Sequence, residues 1–488
     1  MKQGNKFQSA LLDWDDSATD GDVLWRAGKA TAVEILDGVA MITVPFWAQD
    51  GHSFIRDSGA APREHRLEVR AYGHEVVRLS LSLDGEPAAS DSPMLCLDPS
   101  LVPVPLSARK APCGWEIIDP EGRTRLRLEP GEAPTRHWSD LLAPPPEALA
   151  ATVLPDGHLA VDLWDHDCLY PAHLESMGLG YLERQDAAVA SLFSLRARHD
   201  EHFCGTGERF RNMDLAGQTV HLDNADAMGV NSRRAYKNVP LYLSSRGYGL
   251  FMHTSAHGRL DLADVSTRAV QARLEEGRLD LFIIGGANLE RVLRNYRRLT
   301  GFPPTVPRWS YGIWMSRMTY YSADETREVC RELRAGHFPC DVIHLDTGWF
   351  PRNWKCEWEF SEEKFPDAAA YMAELREQGF RVTVWNHPVI EPDIKQYAEA
   401  TQRRYLPPRA AAAEDGSLAF GKHIDFSYPE AVSWYQGLLR GLLRQGVACI
   451  KTDFGEEIDL EADYLGMPAD KLHNLYALLY QRAAWEVT

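Results

Sequence analysis

The chain has 488 residues, 44% hydrophobic and 25% charged, which is enough for two or more packed domains and too apolar for a disordered chain. Its net charge of −18 excludes the basic footprint that nucleic-acid binding needs and favours a neutral ligand. No apolar stretch approaches the roughly 20 residues of a membrane span, and no apolar segment follows Met1–Phe7 as a secretory leader would require.

Residues 1–300 read as one antiparallel β-sandwich domain. Arg66–Arg70, Val76–Ser82 and Arg123–Leu128 alternate apolar and polar residues and are punctuated by Gly, Pro and Asp. The Pro-rich run Leu142–Pro146 marks a surface loop. Asn288–Thr300 is expected to be a short basic helix bridging to the next domain, with Arg291, Arg294, Arg297 and Arg298 on a solvated face. Phe302-Pro-Pro304 marks the entry to a second domain, residues 301–488.

In that second domain short apolar runs alternate with helix-like stretches. Expected strands are Tyr311–Met315, Asp341–Asp346, Arg381–Asn386 and Val447–Ile450, the last buried on both faces. Expected helices are Ser322–Arg334, Asp367–Gln378, Pro429–Arg444 and Asp470–Tyr480, and Arg409–Ala413 reads as a loop. Strand, helix, strand at this spacing is the signature of a parallel sheet, and the fold class is a β-sandwich followed by the first half of a (β/α)8 TIM barrel. In such barrels chemistry sits at the C-terminal strand ends. Those ends present Trp314, Asp346, Trp385 with His387, and Asp453.

Aromatic rings beside carboxylates suit a sugar, whose C–H faces stack while its hydroxyls bond. Asp453, with Lys451 two residues before it, fits a nucleophile or an electrostatic stabiliser. The alternative is an Asp that caps the following turn or pairs only with Lys451. Eight Cys without C-x-x-C pairs, Cys340 and Cys449 among expected strands, suggest reduced thiols and a cytoplasmic protein. No Cys/His cluster has the spacing of a zinc site, and no metal or cofactor is expected.

The ordered segments Cys204–Phe210, Gln218–Val220, Ala235–Pro240, Ser245–Gly249, Tyr311–Trp314, His344–Asp346, Val384-Trp385, Asp425-Phe-Ser and Lys451-Thr-Asp-Phe-Gly-Glu456 resemble glycoside hydrolase family 31, in its bacterial α-xylosidase branch. The likeness runs from about residue 200 onward. It implies a retaining hydrolase of terminal non-reducing α-xylosyl residues, with α-glucosidase or another α-hexosidase as the alternative. Asp453 falls on the catalytic nucleophile and Glu456 on a second carboxylate of the same motif. Trp314, Asp346, Trp385 and Lys451 fall on positions lining the sugar pocket. Asp226 matches a loop Asp that reaches into that pocket, the alternative being a solvated turn Asp.

Two positions depart from the xylosidase pattern. Gly348 follows Asp346 where bulk is expected, and Thr319 stands where some members carry an aromatic. Fewer residues follow Gly301 than the roughly 250 of an eight-stranded barrel, so the chain is expected to be truncated within the barrel, with its acid/base beyond residue 488. A non-catalytic sugar-binding fragment, prone to aggregate through its last strand, is therefore a further alternative. An oligosaccharide or small α-glycoside is the expected partner, and self-association of the full-length protein is left open.

Overall fold

The computed structural model describes residues 22–28, 30–49, 61–83, 92–111, 114–128, 149–154, 157–163, 178–227, 232–265, 267, 269–408 and 421–488. The expected loops at Leu142–Pro146 and Arg409–Ala413, and the segment Met1–Phe7, lie outside them. The chain divides into two compact units, Met1–Phe302 and Pro303–Thr488.

Alternation builds the first unit. In Arg63–Tyr72 the side chains of Leu67, Val69 and Ala71 are buried, while those between them are partly exposed, the two-residue period of a strand with one face on a core. This strand pairs antiparallel with Val39–Gln49 and Val76–Ser82. The run continues through Arg278–Gly285, Tyr248–Met252, Lys237–Ser244 and Phe203–Glu208. A second antiparallel run follows the order Val23–Ala27, Leu179–Arg184, Ala187–Arg196, Ala269–Leu274, Gly258–Leu262 and Gln218–Leu222. Val23–Ala27 also pairs with Val39–Gln49 and so joins the two runs. Ile42, Val69 and Leu79 of one run share a buried cluster with Phe193 and Leu260 of the other. Each such side chain contributes on the order of 1.5–3 kcal/mol on burial, and the result is the expected sandwich.

The helix Leu289–Thr300 is capped by Asn288, whose side chain accepts from the Arg291 amide at 2.9 Å. Its arginines do not all face solvent as expected. Arg291 grips the Glu75 carboxylate at 2.7–3.0 Å, and Arg298 Nη2 donates to the Ser100 carbonyl at 2.6 Å. Their long side chains reach back over the sheet to a carboxylate and a carbonyl, acceptors that suit the forked donors of a guanidinium.

The second unit carries a parallel sheet in the order Trp314–Met315, Val342–Leu345, Arg381–Asn386, Cys449–Thr452. Helices Ala323–Ala335, Ala368–Glu377, Pro429–Arg444 and Ala469–Trp485 alternate with these strands, the arrangement expected for the first half of a (β/α)8 barrel. Local chemistry fixes the helix starts. The Ser322 side chain accepts from the Glu325 amide at 3.1 Å, and Glu325 Oε2 accepts from the Tyr321 amide at 2.8 Å, a capping arrangement that satisfies two donors at once. Asp367 caps Ala370 in the same manner, and Pro429 opens its helix.

Three details differ from the sequence reading. The first strand is only Trp314–Met315, because the residues before it are held in a 3-10 turn over Arg308–Tyr311 that the Gly312 amide closes by donating to the Trp309 carbonyl at 3.1 Å. The helix Gln396–Gln402 and the small pairing of Val389–Ile390 with Lys422–His423 had no clear periodic signal. Cys449–Thr452 is only partly buried, and Lys451 is exposed, because among the described residues this strand pairs on one side alone.

Candidate active site

Parallel pairing sets the site. Trp385 lies in register with Lys451, and Leu345 with Val384, so Asp346, Trp385 and Lys451 emerge at one level of three adjacent strands. Asp453 follows two residues later, and its amide donates to the Asn386 carbonyl at 2.9 Å.

The Asp453 carboxylate is held by donors. Trp385 Nε1 donates to Oδ2 at 2.7 Å, the Phe454 amide donates to Oδ1 at 3.2 Å, and Lys451 Nζ lies 3.4 Å from Oδ2. Trp385 is 1% exposed, whereas the Asp453 side chain is 41% exposed. The tryptophan is thus a fixed clamp and the carboxylate remains reachable. Phe454 adopts φ 61°, left-handed for a non-glycine residue, and Gly455 follows at φ 95°. This local strain turns the chain sharply after the carboxylate. Under the bend lie Tyr476 and Tyr480, 3.2–3.5 Å from where a Cβ on Gly455 would sit.

Lys451 Nζ also lies 3.4 Å from Asp346 Oδ2, so one ammonium bridges two carboxylates. Asp346 accepts further from His344 Nε2 at 3.3 Å and from the Thr347 amide at 3.1 Å. Burial raises the Asp346 pKa, but the His344 hydrogen bond and the Lys451 charge outweigh it and hold the group below the usual aspartate value.

Beside this cluster stand aromatic edges. Trp354, His387 and Phe454 meet Trp385 at 5.4, 5.1 and 6.4 Å, each close to perpendicular. His387 donates from Nε2 to the Trp354 carbonyl and accepts at Nδ1 from the Val389 amide. Burial pushes its pKa down to about 4, despite the nearby Asp453 charge.

Of the residues singled out in the sequence, the structure brings together Asp346, Trp385, Lys451 and Asp453. Glu456 is half-buried on the loop that follows Asp453. Trp314 is not brought to the cluster. Its register partner is Val342, the first residue of the second strand, whereas Asp346 lies past that strand's last residue. Trp314 is 40% exposed, and its Nε1 donates to the Ser310 carbonyl at 3.0 Å. Asp226 belongs to the first unit, where its main-chain oxygen accepts from Arg234 Nη1 at 3.3 Å.

The two departures from the xylosidase pattern touch each other. The Gly348 amide donates to Thr319 Oγ1 at 2.6 Å, and a Cβ on Gly348 would lie 2.3 Å from that oxygen. Thr319 is buried, so neither position projects bulk toward the carboxylates.

Three contributors escaped the sequence reading. Trp354, 46% exposed beside Trp385, sits in a loop with no periodic signal. His344 could have been found from the His-x-Asp spacing, which puts both side chains on one face of a strand. Asn386 is fully buried and joins the third and fourth strands through Nδ2 to the Lys451 carbonyl at 3.0 Å. Its Oδ1 accepts from Trp358 Nε1 at 3.2 Å and from Tyr435 OH at 2.9 Å. A charge-mixed cleft of 840 Å³ in the first unit, lined by Arg211, Arg259, Arg273, Asp264 and Glu275 among others, lacks this convergence of carboxylates and aromatics.

Residues 303–488 match the glycosyl hydrolases family 31 TIM-barrel domain, and residues 66–261 match the glycosyl hydrolase 31 N-terminal galactose mutarotase-like domain. An α-xylosidase of Emericella nidulans is 34% identical over 331 residues, covering 66% of this chain and 41% of the relative. An α-xylosidase of Lactiplantibacillus pentosus is 33% identical over 336 residues, covering 67% and 41%. This chain therefore spans less than half the length of these relatives. A solved Flavobacterium johnsoniae dextranase complexed with glucose superposes with a TM-score of 0.71 at 19% identity, over 95% of this chain and 53% of that one. At that identity the likeness carries the fold alone.

Proposed function

We propose, from the premise that this chain belongs to glycoside hydrolase family 31, that it carries the nucleophile and sugar-binding carboxylate of a retaining α-glycosidase that prefers terminal α-xylosyl residues. The observation that carries this reading is the Asp453 carboxylate, reachable from solvent yet clamped by Trp385, the Phe454 amide and Lys451.

In the reaction Asp453 attacks the anomeric carbon from the face opposite the leaving oxygen. The glycosidic C–O bond breaks as the glycosyl–aspartyl ester forms, and water then cleaves that ester from the original face, giving retention. A donor-lined carboxylate suits the first step because it cannot rotate away from the sugar. Asp346 and Lys451 are suited to hold sugar hydroxyls, one accepting and one donating. The exposed Trp354 offers apolar surface to the ring, while the buried Trp385 holds Asp453 from behind. Glu456 shares the loop of the nucleophile and is assigned to the same centre. Retaining hydrolysis also needs a second carboxyl about 5–5.5 Å from the first as acid/base, a role we assign to none of these residues.

Similarity to two proteins named α-xylosidases favours the xyloside. The Gly348–Thr319 contact favours the second reading, an α-glucosidase, because it leaves the space where a hydroxymethyl group would lie unfilled from those two positions. Initial rates on 4-nitrophenyl α-xyloside and α-glucoside, measured with the enzyme that contains this chain, separate the two. A higher kcat/KM for the xyloside is expected, and a clear excess for the glucoside would replace this reading with the second.

A further inference from the structure

In the first unit three turns that lie far apart in sequence meet at one point. His74 sits between strands Arg63–Tyr72 and Val76–Ser82, Asp119 between Gly114–Ile118 and Thr124–Arg127, and His158 directly before Leu159–Leu163. Hydrogen bonds to main-chain carbonyls hold the turns together. The Leu159 amide donates to the His74 carbonyl at 3.1 Å, and Arg125 Nη1 donates to the Gly73 carbonyl at 2.7 Å. One ligand-type atom from each of His74, Asp119 and His158 lies within 4.8 Å of the others.

The side chains around this point are acceptors aimed at a cation. Asp119 is 1% exposed. Its Oδ1 is fixed by the Arg123 amide at 2.9 Å, while its buried Oδ2 accepts no hydrogen bond among the described residues and has Arg125 Nη1 3.8 Å away. Arg123 Nη1 touches His158 Nε2 and lies 3.5 Å from His74 Nδ1. A guanidinium can only donate, so the imidazole nitrogens facing it present lone pairs, the form a metal requires. Arg123 is itself only partly buried, so its guanidinium can be exchanged for solvent at less cost than that of the fully buried Arg125.

We propose that His74, Asp119 and His158 form a binding site for one zinc-class divalent metal ion, which enters by displacing the Arg123 guanidinium and staples the three turns. Two imidazoles and one carboxylate suit zinc and exclude the hard cations, which prefer all-oxygen sites. Zinc–ligand bonds of about 2.0–2.1 Å imply ligand separations of about 3.3 Å, so modest side-chain rotations close the site. Solvent supplies the fourth ligand. Arg125, buried beside Asp119, opposes the incoming charge and keeps the affinity below that of a four-ligand structural site. No motif announces the site because each ligand belongs to a different turn.

The test is zinc titration of the metal-free chain by competition with a chromophoric chelator, with the melting temperature followed in parallel. One equivalent should bind and raise the melting temperature, as any native-state ligand does. His74→Ala, at an exposed position that leaves the core intact, should weaken binding by about tenfold or more. Arg123→Gln should tighten it, a result that a merely structural arginine–imidazole stack would not give. Wild-type protein that takes up no zinc, or that binds it equally well after His74→Ala, overturns the proposal.

Discussion

Trp385 Nε1 donates to Asp453 Oδ2 at 2.7 Å, so the candidate nucleophile is aimed by a side chain of the neighbouring strand. Trp385 is itself pinned, since its carbonyl accepts from Trp349 Nε1 at 2.9 Å and its ring is fully packed. Asn386, the next residue, accepts from the Asp453 amide and donates to the Lys451 carbonyl. The third strand therefore fixes the fourth at its main chain and at its carboxylate.

Trp385→Phe keeps most of the ring and removes the donor. A hydrogen bond to a charged group contributes about 1.5–3 kcal/mol, so kcat should fall roughly 10–100-fold with KM little changed. Steady-state kinetics check this. A KM effect without a kcat effect would mean that Trp385 acts as a wall and not as a clamp.

Asp453→Asn preserves shape and removes the attacking charge. By analogy with other nucleophile deletions kcat should drop by roughly four orders of magnitude or more, while binding of the sugar product survives in calorimetry. Activity within tenfold of wild type rules out the assignment.

Gly348→Ala forces a Cβ against Thr319 Oγ1 and the Tyr320 carbonyl. Overpacking of this kind costs about 1–3 kcal/mol, visible as a lower denaturation midpoint. Thr319→Ala should recover part of that loss in the double variant, because the two positions are in contact and couple. An additive double variant would show that the contact is not the source of strain.

The strand ends were legible because each is a short apolar run closed by polar residues, and register brings Asp346, Trp385 and Lys451 to one level of adjacent strands, with Asp453 two residues beyond. Trp314 was singled out on the same pattern. Its aromatic run reads as a strand end, while the register pairs it with Val342 at the start of the second strand, which the run alone does not encode. Trp354 and the three-turn cluster of His74, Asp119 and His158 depend on loops whose path is set by tertiary contacts, and no periodicity encodes those. Arg291 and Arg298 read as solvated, as Arg294 and Arg297 are, because their partners Glu75 and Ser100 lie far back in the chain.

His387 gives a pH dependence. Its folded pKa of about 4 lies below the ordinary value of 6.5, so between those values the unfolded chain binds the extra proton. Stability should therefore rise as pH increases from about 4 to 6.5 and level off above. His387→Gln should flatten that slope in denaturant titrations run across the window. An unchanged slope would assign the dependence to other groups.

The most direct test of the central claim is mass-spectrometric peptide mapping of the enzyme containing this chain after inactivation with a fluorinated α-xylosyl fluoride, which forms the glycosyl ester faster than water can cleave it. The account predicts one added sugar per chain, carried on the peptide of Lys451-Thr-Asp-Phe-Gly-Glu456 at Asp453. A sugar attached to Asp346, Glu456 or any other carboxylate would contradict it.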